Sequence, residues 1–185
     1  FEYSSVTYFS KTFLKTILSN KSDLLHHYQK DFQVHVNPVL QFNYGEDFEN
    51  NTSTYINTRG AELRGSIDGK IGFYAFLTDN QIYYPGYVLS RIQQDGATPG
   101  ENHWKTFGSD KNAVDFFTAR GYITFNLTKH ITAQFGNDKN FIGDGHRSLI
   151  LSDYAGNYTF LKINTKVWKL NYTNLFAELT ADTYR

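Results

Sequence analysis

The sequence predicts an all-β protein: an antiparallel transmembrane β-barrel, here part of a wider barrel, with a short N-terminal helical segment. Three observations predict it. Apolar and polar residues alternate with period two through most of the chain after Asp31. The alternating runs approach the ~9–11 residues that a strand needs to cross a bilayer. Tyr and Phe gather near the ends of these runs, at Tyr44, Tyr55, Tyr83, Tyr84, Tyr87, Tyr122, Tyr154 and Tyr158, as rings do at membrane interfaces.

Composition narrows the function classes. The 185 residues carry 18 Lys+Arg against 18 Asp+Glu, so no basic excess exists to neutralise a phosphate backbone, and nucleic acid is not an expected partner. Cysteine is absent, which removes disulfides, thiolate metal sites and cysteine nucleophiles together. Methionine is absent too, including at position 1, so the chain is expected to be a processed product or a segment of a longer one. No run approaches the ~18 apolar residues of a membrane-spanning helix.

Residues 1–30 read as a helical arm. Phe9, Phe13 and Ile17 recur every four residues, and Ser22 could cap a second short helix carrying Leu24, Leu25 and Tyr28. Residues 31–185 read as the barrel segment. Phe32, Val34 and Val36 alternate with Gln33, His35 and Asn37 until Pro38, which cannot donate to a ladder and is expected to break the run. Leu40, Phe42 and Tyr44 resume it, and Gly45 to Thr54 reads as a polar loop. Ala61 to Ile67 and Ile71 to Thr78 form a hairpin around the turn dipeptide Asp68-Gly69. Residues 79–115, rich in Gly and Pro, read as a long irregular excursion holding Tyr87 and Trp104. A second hairpin spans Phe117 to Asn137, turning at Thr128-Lys129-His130. Residues 138–157 read as a second long loop. A third pair follows, Leu161 to Val167 and Leu170 onward, with a change of parity that suggests a bulge near Asn174.

A soluble sandwich offers the same dyad pattern, with its apolar faces buried against each other. A membrane barrel turns them to lipid instead. Strand length, ring placement and mid-strand charges such as Arg64, Arg120 and Lys162 favour the barrel. A soluble β-sandwich carbohydrate-binding module stays open as an alternative.

Three blocks carry a family resemblance. They are Tyr55-Ile56-Asn57-Thr58-Arg59-Gly60-Ala61-Glu62-Leu63-Arg64-Gly65 with Ile71-Gly72-Phe73-Tyr74; Phe117-Thr118-Ala119-Arg120-Gly121-Tyr122-Ile123-Thr124-Phe125; and Phe135-Gly136-Asn137-Asp138-Lys139-Asn140-Phe141-Ile142-Gly143-Asp144-Gly145-His146-Arg147-Ser148-Leu149. Over roughly residues 32 to 182 the chain resembles the RemB-type outer-membrane proteins of gliding bacteria, which are similar to Wzi-type capsule-assembly barrels. The resemblance implies the outer membrane of a Gram-negative bacterium, a link to gliding motility and type IX secretion, and partners among the proteins of that machinery.

The candidate chemistry is ionic rather than catalytic. Arg59, Glu62, Arg64, Arg120, Asp138, Lys139, Asp144, His146 and Arg147 mix both signs, and charges turned into a barrel must be paired or hydrated. They are expected to form a lumen ion-pair network, with Gly143 and Gly145 letting the chain fold inward. The alternative is that Arg59, Arg64, Arg120 and Arg147 hold an anionic polysaccharide. Asp138, Asp144 and His146 are too sparse for a calcium loop and lack a second histidine for zinc, so no metal is expected. Asp144, His146 and Ser148 lack a nucleophile elbow, so no catalytic set and no cofactor is expected. The expected function is a non-enzymatic outer-membrane component working through protein contacts with lipid around it. A polysaccharide-binding or capsule-assembly barrel is the alternative.

Overall fold

The chain turns back on itself at Lys30-Asp31, so that the strand β1 (Leu25–Gln29) lies antiparallel on β2 (Phe32–Asp47). This computed structural model describes residues 23–48, 51–101, 105–107 and 113–179. Further strands are β3 (Thr52–Ile67), β4 (Ile71–Tyr83), β5 (Lys105–Phe107), β6 (Ala113–Asn126), β7 (Ile131–Asp138), β8 (Tyr158–Val167) and β9 (Leu170–Ala177), with one helix, α1 (Gly86–Asp95). All strands join one antiparallel sheet in the order β1-β2-β3-β4-β6-β7-β8-β9, with β5 paired to the start of β6. The fold is therefore all-β and antiparallel. Its outer strands, β1 and β9, do not meet, so the described sheet is open.

Register decides which side chains share a face. Rows such as Val36–Leu63–Ala75 and Ile123–Phe135–Leu161–Phe176 run across neighbouring strands without a slip. One face thereby collects Leu40 and Phe42, Leu63, Phe73, Ile123 and Phe135. Phe42 is 74% and Phe135 55% exposed. The described residues form a single sheet, so no second sheet covers this apolar face. The other face collects Gln33, Ser66, Thr124, Lys162, Arg64 and Arg120.

The polar face changes character at one end. There Ile56, Ile82, Val114 and Phe116 are covered by α1, whose Val88, Leu89 and Ile92 complete the hydrophobic core; Ile92 is 1% exposed. Gly96 ends α1 in the left-handed conformation (φ 67°), its N–H donating to the Ile92 carbonyl at 2.8 Å. The helix lies inside the stretch expected to be irregular. Its apolar stripe is short, and Pro85 and Gly86 at its start mimic a loop. Asp79 to Tyr83, also expected in that loop, continue β4.

Other expectations are corrected as well. Leu25 to Tyr28 form strand and not helix, because pairing with Phe32–Val36 decides their conformation. The stripe Phe9, Phe13, Ile17 and the ring of Trp104 lie outside the described residues. Pro38 does not break β2. Asp68 N–H donates to Asp31 O at 2.7 Å, so odd-numbered β2 residues bond to β3, and the even-numbered Pro38 points its nitrogen away, beyond the start of β1. The loop expected from Gly45 to Thr54 contracts to 48–51. No bulge occurs near Asn174, since the ladder runs unbroken from Val167↔Leu170 to Phe160↔Ala177. The apolar Leu175 simply sits on the polar face, opposite Lys162.

The two ends of the sheet differ. Tight turns at 30–31, 68–70, 127–130 and 168–169 close one end. In the turn after β3, Asp68 (φ 52°) and Gly69 (φ 62°) both take the left-handed conformation. At the other end β2 leads to β3, β4 to β6 and β7 to β8, the last two by the longer stretches of chain. Residues 139–157 are irregular as expected, apart from one bridge between Ile142 and Leu151.

Gly136 shows how tightly the ladders approach. It lies opposite Tyr122, and a Cβ there would run into the Gly121 carbonyl and stand 2.6 Å from the Tyr122 Cβ. Gly136→Val should therefore cost about 1–3 kcal/mol through overpacking. Thermal unfolding of the purified protein checks this, with Gly69→Ala as a comparison in open space whose cost is confined to backbone strain.

Candidate functional site

The polar face is built row by row from neighbouring strands. The row Asn37–Glu62–Phe76–Arg120 crosses β2, β3, β4 and β6. An ion pair carries it into β7, where Arg120 Nη1 stands 3.6 Å from Asp138 Oδ1, and Asp138 faces Tyr158 on β8. The guanidinium also lies 4.4 Å from the Phe76 ring centre, so the cation is held by a carboxylate and a ring face. The next row is His35–Arg64–Tyr74–Tyr122, with the two tyrosine rings stacked at 5.2 Å. His35, Glu62, Arg64, Tyr74 and Tyr122 line a hollow of about 570 Å³.

Two clusters tie chain segments onto this face. At one, Asp23 accepts hydrogen bonds at 2.8 Å from His35 Nδ1, Asn37 Nδ2 and Arg64 Nη2, while Leu24 N–H donates to Asn37 Oδ1. These donors, Asn37 first, outweigh the cost of burial and hold the Asp23 carboxyl down to about 2, from an ordinary 3.8. At the other, Lys139 Nζ donates to the Gly100 carbonyl at 2.7 Å and to Glu101 Oε1 at 3.4 Å. Glu101 Oε2 in turn accepts from Thr118, and Thr118 accepts from Asn80, which accepts from Thr58. This chain of side chains fixes the segment after α1 against the middle of the sheet. Burial pushes the Tyr84 phenol, beside the same helix, up to about 12.

The structure thus pairs Arg120 with Asp138, in the same row as Glu62, and ties Arg64 to Asp23 and Lys139 to Glu101, so these expected residues share the polar face in separate pairs. It does not bring in the other expected residues. Arg59 lies on the apolar-face side, five residues from Arg64 and so of opposite parity, where it pairs with Asp79 at 3.3 Å. Asp144, His146 and Arg147 are exposed in the 139–157 loop, and Arg147 lies 4.7 Å from the Tyr154 ring. The loop does fold tightly: Gly143 has φ 144°, and the Ser148 hydroxyl donates to the Ile142 carbonyl. That bond uses Ser148 as a loop brace. Among the described residues no group of three His, Cys, Asp or Glu is placed to hold a metal ion. Of the expected interface rings, Tyr44, Tyr55 and Tyr83 do line up at the long-loop end, while Tyr122 sits mid-strand on the polar face.

Asp23, Asn80, Glu101, Thr118 and Asn140 complete the network without a local sequence signal. Each meets its partner through register or through a loop crossing. Lys162 donates to Asn140 Oδ1 at 3.0 Å; its mid-strand charge was the one visible hint.

Two outcomes follow. Asp138→Ala should cost about 1–3 kcal/mol, because Arg120 loses its carboxylate. The double change Arg120→Met with Asp138→Leu should recover most of it, as read by denaturant unfolding. Asp23 supports the fold fully above its unfolded value of 3.8 and loses that support as pH falls through about 2. Asn37→Ala removes its first donor, so the ladder amides of 25, 27 and 29 should lose protection at a higher pH than in the parent, as followed by hydrogen exchange between pH 1.5 and 5. No protein-family model, curated protein or solved structure matches the chain.

Proposed function

We propose that this chain forms part of the wall of an outer-membrane β-barrel, a non-enzymatic component of the gliding and type IX secretion apparatus that works through protein contacts. The observation that carries the reading is the pairing of opposite faces. Phenylalanines and leucines stand uncovered on one side, and ions neutralise one another on the other. In water the first arrangement leaves a large apolar surface without a solvent that favours it. In lipid it is the required one, provided that polar groups face inward.

Dimensions and ends support the same reading. A ten-residue strand such as β8, tilted by about 40°, rises about 25 Å, the height of an outer-membrane apolar band. Tight turns at one end and long connections at the other follow the asymmetry of such barrels. The row Tyr44–Tyr55–Tyr83 lies at the long-connection end, where interfacial rings belong. Hydrocarbon offers no partner to backbone N–H or C=O, so both open edges of the sheet must be met by further strands. The assignment to gliding and secretion rests on the resemblance to RemB-type proteins.

A second reading is a polysaccharide-binding barrel of the Wzi type. The hollow beside Arg64 and the stacked Tyr74 and Tyr122 favours it, since rings and cations together suit a charged sugar.

The absence of cysteine makes the first test direct. Ile123→Cys points to the apolar face and Thr124→Cys to the polar one. In native membranes a charged maleimide should label position 124 and spare position 123, while a lipid-soluble maleimide reverses the preference. Equal labelling of both by the charged reagent, or release of the protein by carbonate without detergent, would point to a soluble protein instead. Co-purification in detergent with a large secretion assembly, rather than retention on surface glycan, separates the first reading from the second.

A further inference from the structure

Each of the four tight turns carries one lysine: Lys30 at 30–31, Lys70 at 68–70, Lys129 at 127–130 and Lys169 at 168–169. The acids in these turns are Asp31 and Asp68, and Lys166 adds a fifth cation one residue before the end of β8. The opposite end has the reverse balance. Over residues 46–48, 84–101 and 138–157, seven acids stand against three bases. The zero net charge of the chain therefore hides an excess of cations at the turns and of anions at the other end.

Hydrogen bonds between neighbouring turns hold the lysines in a row. Asp68 N–H donates to the Asp31 carbonyl at 2.7 Å and joins the first turn to the second. Asn126 joins the second to the third: its backbone N–H donates to the Lys70 carbonyl at 2.8 Å and its side-chain amide to the Gly69 carbonyl at 3.1 Å. His130 joins the third turn to the end of β8. Its carbonyl accepts from Lys166 N–H at 2.8 Å, and its Nδ1 donates to the Lys166 carbonyl at 3.0 Å. Successive turns stand two strands, or ~10 Å, apart. Lys70 pairs with Asp68, whereas Lys30, Lys129, Lys166 and Lys169 have no carboxylate partner among the described residues.

We propose that this basic rim binds the phosphates of anionic phospholipids, in the leaflet that meets the tight turns. The inference rests on the membrane reading above, in which short turns face the periplasm. What lies beside the lysines favours lipid over a soluble acidic partner. Trp168 is 80% and Tyr28 76% exposed, and Lys169 Nζ stands 5.2 Å from the Trp168 ring. The apolar face ends just inside the turns, with the row Phe32–Ile67–Ile71–Phe125. Indole and phenol rings beside lysines, at the rim of an uncovered apolar face, suit the headgroup layer, where a ring and a long cationic side chain each have one end in lipid and one in water. An acidic protein would match the charge alone. Because the cations are spread along a row rather than gathered round one centre, the rim takes several headgroups side by side. Lysines at a membrane surface attract anionic lipids, and salt weakens the attraction.

The sequence holds two tryptophans, so Trp104→Phe leaves Trp168 as its only indole. The full chain with this change is reconstituted in vesicles of about four parts phosphatidylcholine to one of phosphatidylglycerol. In one set the phosphatidylglycerol carries brominated acyl chains; in the other an equal amount of the phosphatidylcholine does. Brominated phosphatidylglycerol should quench Trp168 fluorescence about threefold more than brominated phosphatidylcholine. Adding Lys129→Gln with Lys169→Gln should bring the ratio close to one, as should about 0.5 M salt. Arg91→Gln with Arg147→Gln, which removes two cations from the opposite end, should leave it near three. Equal quenching by the two lipids, or a ratio unmoved by the lysine changes, overturns the proposal and leaves the rim to a soluble acidic partner. Quenching by neither lipid overturns it as well. The labelling of positions 123 and 124 reads the membrane face by itself, so failure of the rim is distinguishable from failure of the membrane reading.

Discussion

Side chains alternate with period two along every strand, so a slip of one residue anywhere between β2 and β9 would turn a strand's leucines and phenylalanines onto the face that holds Arg120 and Asp138. The ladders prevent this by running without a bulge from β2 to β9. Everything else depends on that continuity. Arg120 meets Asp138 because they are the next step of a register that begins at Asn126↔Thr132. Tyr74 stacks on Tyr122 because they are opposed residues. Glycines at 60, 121 and 136 stand where a Cβ would run into the backbone of the neighbouring strand.

The polar face gives Arg64, Arg120 and Lys139 local partners of opposite charge, with Arg64 still half exposed. Arg120 has a carboxylate and a ring, Lys139 a carboxylate and a carbonyl, and Arg64 the carboxylate of Asp23. Such pairs contribute little net stability over an apolar substitute, but an unpaired member would be costly. Their value lies in fixing segments that have no ladder of their own. Glu101 pins the stretch after α1, and Asp23 pins the entry to β1. Among the described residues, three buried groups in the same region, Arg120 Nε, Asn140 Nδ2 and the Tyr158 hydroxyl, have no hydrogen-bond partner.

Period-two alternation made the hairpins around Asp68-Gly69, Thr128–His130 and Trp168-Lys169 legible, because each is a local pattern with a turn between two runs. What stayed hidden was non-local. Leu24, Leu25 and Tyr28 fit a helix as well as a strand until β2 is placed beside them. Pro38 reads as a break unless its nitrogen is known to face an edge. α1 has its apolar residues at positions 88, 89 and 92 only, too brief a stripe to stand out from its glycines and prolines. The site shows the same division. Arg64 and Arg120 stand out as charges in mid-strand, and Asp138 and Lys139 as the start of the polar run in the stretch read as a loop. Arg59 lies five residues from Arg64 and so falls on the opposite face, and Asp144, His146 and Arg147 stay exposed because a dense run of polar residues in a loop need not reach the sheet.

The gathering of four tight turns, at 30–31, 68–70, 127–130 and 168–169, at one end bears on how the molecule can assemble. The hairpins β1–β2, β3–β4, β6–β7 and β8–β9 each close over a few residues, so each can zip on the microsecond scale with little loss of chain freedom. Joining β4 to β6 instead requires the 84–112 stretch to find its ends, and joining β7 to β8 the 139–157 stretch. Contacts between residues distant in the chain set the pace of folding. The kinetic seams therefore lie between hairpins, and α1, which packs across the β4–β6 seam, acts as the clasp that holds the slowest junction once it has formed.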